Sequence, residues 1–128
     1  MPTVRDVMTS DVVVLRPEMS VHRAMSILLD ADITGAPVLD ERGSIAGILT
    51  EKDCLGAIFR ASYHQDPGES VAECMTRRVQ TVDAEMDVLE VIELFLRGPY
   101  RRFPVLDGTR LVGLISRRDI VRAVEASW

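Results

Sequence analysis

The sequence predicts a mixed α+β fold made of two copies of one small β-α-β-β-α unit, packed as a pseudo-twofold pair. The first observation is an internal repeat. Val4-Arg5-Asp6-Val7-Met8-Thr9 matches Val71-Ala72-Glu73-Cys74-Met75-Thr76, and Arg16-Pro17-Glu18-Met19-Ser20-Val21 matches Asp83-Ala84-Glu85-Met86-Asp87-Val88. Pro37-Val38-Leu39-Asp40 returns as Pro104-Val105-Leu106-Asp107, and Gly47-Ile48-Leu49-Thr50-Glu51-Lys52-Asp53 as Gly113-Leu114-Ile115-Ser116-Arg117-Arg118-Asp119. The second observation is that hydrophobic periodicity changes in the same sequence of steps in each copy. The third is size: a copy of about 60 residues buries too little surface to stand comfortably alone, so two copies must share their apolar faces. The organisation that follows is a first repeat over 1–60, a linker over 61–70 and a second repeat over 71–128, with two equivalent clefts expected between the halves.

Each copy opens on a short extended run, Val12 to Leu15 and Val79 to Val82. A helix follows. Ser20 caps it in the first copy, and Val21, Ala24, Met25 and Leu28 form its apolar stripe. In the second copy Asp87 is the cap, supported by Glu90 three places on, and Val88, Val91, Ile92 and Phe95 are the stripe. Two short strands come next: Ala36 to Leu39 with Ile45 to Leu49, then Phe103 to Leu106 with Leu111 to Ile115. Gly43 in one turn and Asp107-Gly108 in the other are the residue types that hairpins need. A last helix starts at Thr50 or Ser116. Its apolar positions are Leu55, Ile58 and Phe59, or Ile120, Val121 and Val124. Pro67-Gly68 breaks the linker.

Composition narrows the class. Of the 128 residues 47% are apolar and 27% charged, which is the balance of an ordinary globular protein. No apolar run approaches the length of about 20 residues that spans a bilayer. The N-terminus lacks the basic start and apolar stretch of a signal peptide, so the expected location is the cytoplasm, off the membrane. Cys54 and Cys74 have no metal-type or redox spacing and read as buried reduced thiols. The net charge of −5 disfavours nucleic acid as a partner. Every basic residue after Asp66 is nevertheless an arginine, with pairs at Arg77-Arg78, Arg101-Arg102 and Arg117-Arg118. Arginine forks suit phosphate.

The candidate chemistry lies in Gly47-x-x-Thr50-x-x-Asp53 and its copy Gly113-x-x-Ser116-x-x-Asp119. Both sit where a strand ends and a helix begins. Unpaired N–H groups and a partial positive charge there favour phosphate. A hydroxyl can donate to a phosphate oxygen, a carboxylate one turn on can accept from both hydroxyls of a ribose, and glycine permits close approach. The same Thr-x-x-Asp spacing is also a plain helix cap. Catalysis finds no support. There is no nucleophile elbow, P-loop or dinucleotide fingerprint, and His22 and His64 share no metal-type spacing and read as surface. Asp53 and Asp119 stand as single carboxylates with no evident partner to tune them.

The Val-x-Asp/Glu-x-Met-Thr opening (Cys74 preceding Met75 in the second copy), the Pro-Val-Leu-Asp strand and the Gly-Ile-Leu-Thr-Glu-Lys-Asp segment, each with its second copy, resemble the cystathionine-β-synthase (CBS) domain from Val4 to about Ala126. The resemblance implies a tandem pair, a Bateman module, that dimerises, binds AMP, ADP, ATP or S-adenosylmethionine, and reports ligand level to a partner protein. No cofactor is required; the nucleotide is a regulatory ligand, taken with or without magnesium. The implied contacts to ribose and phosphate are Thr50, Asp53, Ser116 and Asp119. Tyr100-Arg101-Arg102-Phe103-Pro104 would line a base pocket with basic residues reaching phosphate. The first copy has Ile33-Thr34-Gly35-Ala36-Pro37 there, an apolar wall without a base, so the two clefts should differ. The alternative is a dimerisation or docking scaffold that binds no nucleotide.

Overall fold

The computed structural model describes residues 2–64 and 68–127, so Gln65 to Pro67 of the expected linker and the His64 side chain lie outside the described residues. In chain order the elements are α1 (Val4–Val7), α2 (Val21–Asp30), β1 (Gly35–Leu39), β2 (Ile45–Thr50), α3 (Glu51–His64), α4 (Val71–Cys74), β3 (Val82–Asp83), α5 (Val88–Arg97), β4 (Arg102–Asp107), β5 (Arg110–Ser116) and α6 (Arg117–Ser127). Contacts divide the chain into two compact units that cut across the sequence repeats. The central unit is Val13–Val79. The terminal unit joins the stretch up to Val12 with the stretch from Gln80 on.

In the central unit, Ser20 caps α2 by accepting from the Arg23 amide at 3.1 Å. Val21, Ala24 and Leu28 then fall on one face and are buried. They pack with Leu15, Val38 and Leu49, all fully buried. β1 and β2 pair antiparallel from Gly35↔Thr50 to Leu39↔Ile45. The turn between them needs Gly43, whose φ is +80°. Asp40 closes that turn, its carboxylate accepting from the amides of Arg42 and Ser44. The expected strand Val12–Leu15 reduces to one parallel bridge, Leu15 to Val38. α3 continues through Ala61 to His64, so the first part of the expected linker is helical.

The terminal unit repeats the plan. Asp87 caps α5 by accepting from the Leu89 amide at 2.8 Å. Val88, Val91 and Phe95 are buried, and the Phe95 ring lies 4.5 Å from that of Phe103. β3 pairs parallel with β4, and β4 antiparallel with β5. Gly108 turns the hairpin at a φ of +65°. Each fully buried Val, Leu, Ile or Phe contributes roughly 1.5–3 kcal/mol relative to exposure.

One expectation is corrected. Leu55, Ile58 and Phe59 do not face the core: they are 66%, 52% and 64% exposed. The buried face of α3 carries Cys54 and Ala57 instead. In α6, Ile120 is buried while Val121 is exposed. In α3 the small side chains face inward, and periodicity reasoning had given its bulky residues too much weight.

Candidate functional site

Thr50 ends β2 and Asp53 stands in the first turn of α3. The Asp53 carboxylate Oδ2 accepts from the Thr50 amide at 3.0 Å and from the Thr50 hydroxyl at 3.1 Å, while the Asp53 amide donates back to Thr50 Oγ1 at 3.3 Å. This is a reciprocal capping box. Ser116 and Asp119 build the same box at the start of α6: Ser116 N to Asp119 Oδ2 is 2.9 Å, and Asp119 N to Ser116 Oγ is 3.1 Å. Both carboxylates are half-buried.

A third residue joins each box, and the sequence reading had missed it. The Thr76 hydroxyl donates to Asp53 Oδ1 at 3.1 Å. The Thr9 hydroxyl donates to Asp119 Oδ1 at 3.1 Å. These threonines end the Met-Thr segments that had served only as repeat markers. Each segment is exchanged: the one from the start of the chain completes the terminal unit, and the one following the linker completes the central unit. Thr76 and Ile48 exchange two backbone hydrogen bonds, both 2.9 Å. Thr9 and Leu114 do likewise, at 2.8 and 2.9 Å. Val4 N bonds Met86 O and Arg5 N bonds Ala84 O in one unit, as Val71 N bonds Met19 O and Ala72 N bonds Pro17 O in the other.

The exchanged segments account for the two motif glycines. A Cβ on Gly47 would lie 2.7 Å from Thr76 O and 2.8 Å from Met75 Sδ. On Gly113 it would lie 2.8 Å from Thr9 O and 2.6 Å from Met8 Sδ. The space that the sequence reading reserved for a ligand is filled by the protein's own Met-Thr hook.

The remaining candidates divide by exposure. Pairing sets Gly35 beside Thr50 and Arg102 beside Ser116, and Glu51 N bonds Thr34 O at 3.0 Å. The strand beginnings therefore do flank the capping boxes. Ala36, Pro37, Phe103 and Pro104, however, are wholly enclosed and give their side chains to core packing. Ile33 packs half-buried against the central core. Tyr100 is 38% exposed, its ring 5.0 Å from Phe103 and lying over Gly98. Arg101 is exposed and Arg102 half-buried. The helix starts differ in charge. α3 begins with Glu51 and Asp53, in keeping with its dipole. α6 begins with exposed Arg117 and Arg118, which the dipole disfavours by about 0.3–1 kcal/mol each, and Asp119 in the same turn offsets them.

Among the described residues no group of three His, Cys, Asp or Glu side chains is placed to hold a metal ion. Burial pushes the Cys54 thiol up, and takes Cys74 to about 11, so neither is a ready thiolate. Glu69 is held below the ordinary carboxylate range by a two-pronged hydrogen bond from Arg60 of α3. No described helix is long and apolar enough to cross a membrane.

Two similar units, each with a hydroxyl–carboxylate pair at a strand-to-helix junction, define a class of duplicated α+β repeats. The CBS domain profile matches residues 4–60 and 71–126, and the chain belongs to the CBS domain family. Its structure is similar to that of CBSX2 of Arabidopsis thaliana in complex with AMP, with a TM-score of 0.89, 28% identity, and coverage of 99% of this chain and 98% of that one. It is also similar to the CBS pair of protein MJ0100 in complex with 5′-methylthioadenosine and S-adenosyl-L-methionine, with a TM-score of 0.83, 26% identity, and coverage of 100% and 99%. The CBS domain-containing protein YhcV of Bacillus subtilis is 27% identical over 94% of this chain and 84% of its own length. Other relatives are longer. The chain spans 44% of the uncharacterized protein MJ1225 of Methanocaldococcus jannaschii and 22% of the inosine-5′-monophosphate dehydrogenase of that organism.

Proposed function

We propose that this chain is a non-catalytic regulatory module that binds an adenosine-containing ligand and signals its level to a partner protein. The observation that carries the reading is the duplicated pair Thr50–Asp53 and Ser116–Asp119, in a fold whose relatives hold AMP or S-adenosylmethionine. Ribose hydroxyls would be accepted by Asp53 or Asp119, and phosphate would take the hydroxyl of Thr50 or Ser116. The terminal unit is the better phosphate site. Arg101, Arg117 and Arg118 are exposed there, a set of guanidinium forks that the central unit lacks at the matching positions. The central unit, with Thr34 and Gly35 in place of Arg101 and Arg102, suits a less charged ligand.

Copies of the chain pair through α3 in this reading. Leu55, Ile58, Phe59 and Tyr63 form one exposed apolar stripe, and the Phe59 and Tyr63 rings are 5.0 Å apart. Buried free cysteines fit a reducing compartment such as the cytoplasm. One observation favours a second reading, a docking scaffold without ligand: both carboxylates already serve as caps. Thermal unfolding of stripped protein with AMP, ADP, ATP, S-adenosylmethionine and GTP, each with and without magnesium, decides between them. A ligand at 100 times its Kd raises stability by about 2.7 kcal/mol. A shift with adenine ligands and not GTP supports the sensor; no shift with any of them leaves the scaffold.

A further inference from the structure

We propose that Thr76 and Thr9, which come from the exchanged Met-Thr segments, are positioning residues for ribose recognition by Asp53 and Asp119. The inference rests on the ligand reading above and deepens it. A carboxylate offers about four acceptor positions. Around Asp53, three donors are in place: the Thr50 amide and the Thr50 hydroxyl on Oδ2, and the Thr76 hydroxyl, nearer Oδ1 and shared with Oδ2. One position is left, and a ribose diol needs two. The Thr50 amide is fixed by the helix start. The Thr50 hydroxyl is the group that phosphate would recruit, and turning it to phosphate opens the second position.

Once that hydroxyl turns away, the carboxylate is steadied by the Thr50 amide on Oδ2 and by the Thr76 hydroxyl, 3.1 Å from Oδ1 and 3.3 Å from Oδ2. Thr76 cannot drift, because its own amide and carbonyl are both bonded to Ile48. Its exposed side chain reaches the site from a segment that belongs to the other sequence repeat. The terminal unit repeats the threonine contact, with Thr9 on Asp119 Oδ1 and its backbone bonded to Leu114, and adds Arg122 of α6 at 3.9 Å from that oxygen. Occurrence in both units, from segments far apart in sequence, makes the threonine a regular part of the site. The diol is then read by a carboxylate that one repeat supplies and the other repeat aims.

The test compares AMP with 2′-deoxy-AMP by calorimetry on the full chain. Wild type should prefer AMP about tenfold, the value of a hydrogen bond to a charged group. The double variant Thr9→Val/Thr76→Val, close in shape but without the hydroxyls, should lose most of that preference. Thr9→Ser/Thr76→Ser should keep it. A purely structural role would weaken both ligands alike and leave the ratio unchanged, and that result overturns the proposal. A readout that needs no ligand is hydrogen exchange at the Thr50 amide, which donates to Asp53 Oδ2. It should quicken in the Val variant and return in the Ser variant; no change overturns the proposal. Wild type that binds no AMP would instead refute the ribose reading, and the exchange rate would decide the positioning role by itself.

Discussion

Replacing Gly47 with alanine tests the exchange of the Met-Thr segments through the sign of its effect. In a strand that met nothing, alanine would stabilise by about 0.4–1 kcal/mol, because the unfolded chain loses freedom. Here the new methyl would fall 2.7 Å from the Thr76 carbonyl and 2.8 Å from the Met75 sulfur. The carbonyl is backbone, and it is tied to the Ile48 amide by a bond of 2.9 Å. To admit the methyl, the segment must lift. Lifting breaks two backbone hydrogen bonds at about 1 kcal/mol each. It also disturbs Met75, which is 8% exposed in the core. Together these put the loss at about 2–4 kcal/mol. With an unfolding entropy of about 2.1 cal/mol/K per residue, that lowers Tm by roughly 7–15 °C. Urea unfolding and calorimetry measure both quantities, and Gly113→Ala should behave alike against Met8 and Thr9. A neutral or stabilising alanine at either position would refute the exchange.

Other consequences concern charge, thiols and association. Glu69 is held below its ordinary value of 4.5, so its contribution is complete above that value and disappears as pH falls through the lowered one. Glu69→Gln should therefore be less stable than wild type in urea at pH 7, and the two curves should converge in acid. Cys74, pushed up to about 11, and Cys54 beside it should resist a thiol reagent at pH 8 in native protein and react at once in denaturant. Because the folded state raises these thiols, stability should fall as pH climbs above about 9 towards 11. Phe59→Asp puts a charge into the exposed stripe of α3 and should shift sedimentation from dimer to monomer with little change in stability. An unchanged sedimentation coefficient would remove α3 from the interface.

Much of the fold was legible because it is written twice. Ser20 and Asp87 announced their helices by cap and stripe, and Gly43 and Gly108 marked the hairpin turns. Local rules suffice for such features. They failed for α3, where the buried positions are the small Cys54 and Ala57, so the weight of Leu55, Ile58 and Phe59 misled. They failed also for the exchanged segments. The repeat showed that Met8-Thr9 and Met75-Thr76 are equivalent, but equivalence does not say which unit each completes. That choice depends on long-range pairing, Thr9 to Leu114 and Thr76 to Ile48. The site was legible in part for the same reason. Thr50, Asp53, Ser116 and Asp119 stood out by spacing, whereas the threonine on each carboxylate came from across the sequence. The motif glycines were noticed but given to a ligand, since sequence cannot show that backbone already occupies the space.

The central claim, a pair of unequal sites for an adenosine-containing ligand, meets its most direct test in calorimetric titration of AMP into stripped wild type, Asp119→Ala and Asp53→Ala. The expected result is saturable binding to wild type that is lost in Asp119→Ala and kept in Asp53→Ala, since the exposed arginines stand by Asp119. Wild type without heat of binding to AMP or any adenine ligand, or Asp119→Ala with wild-type affinity, would contradict the account.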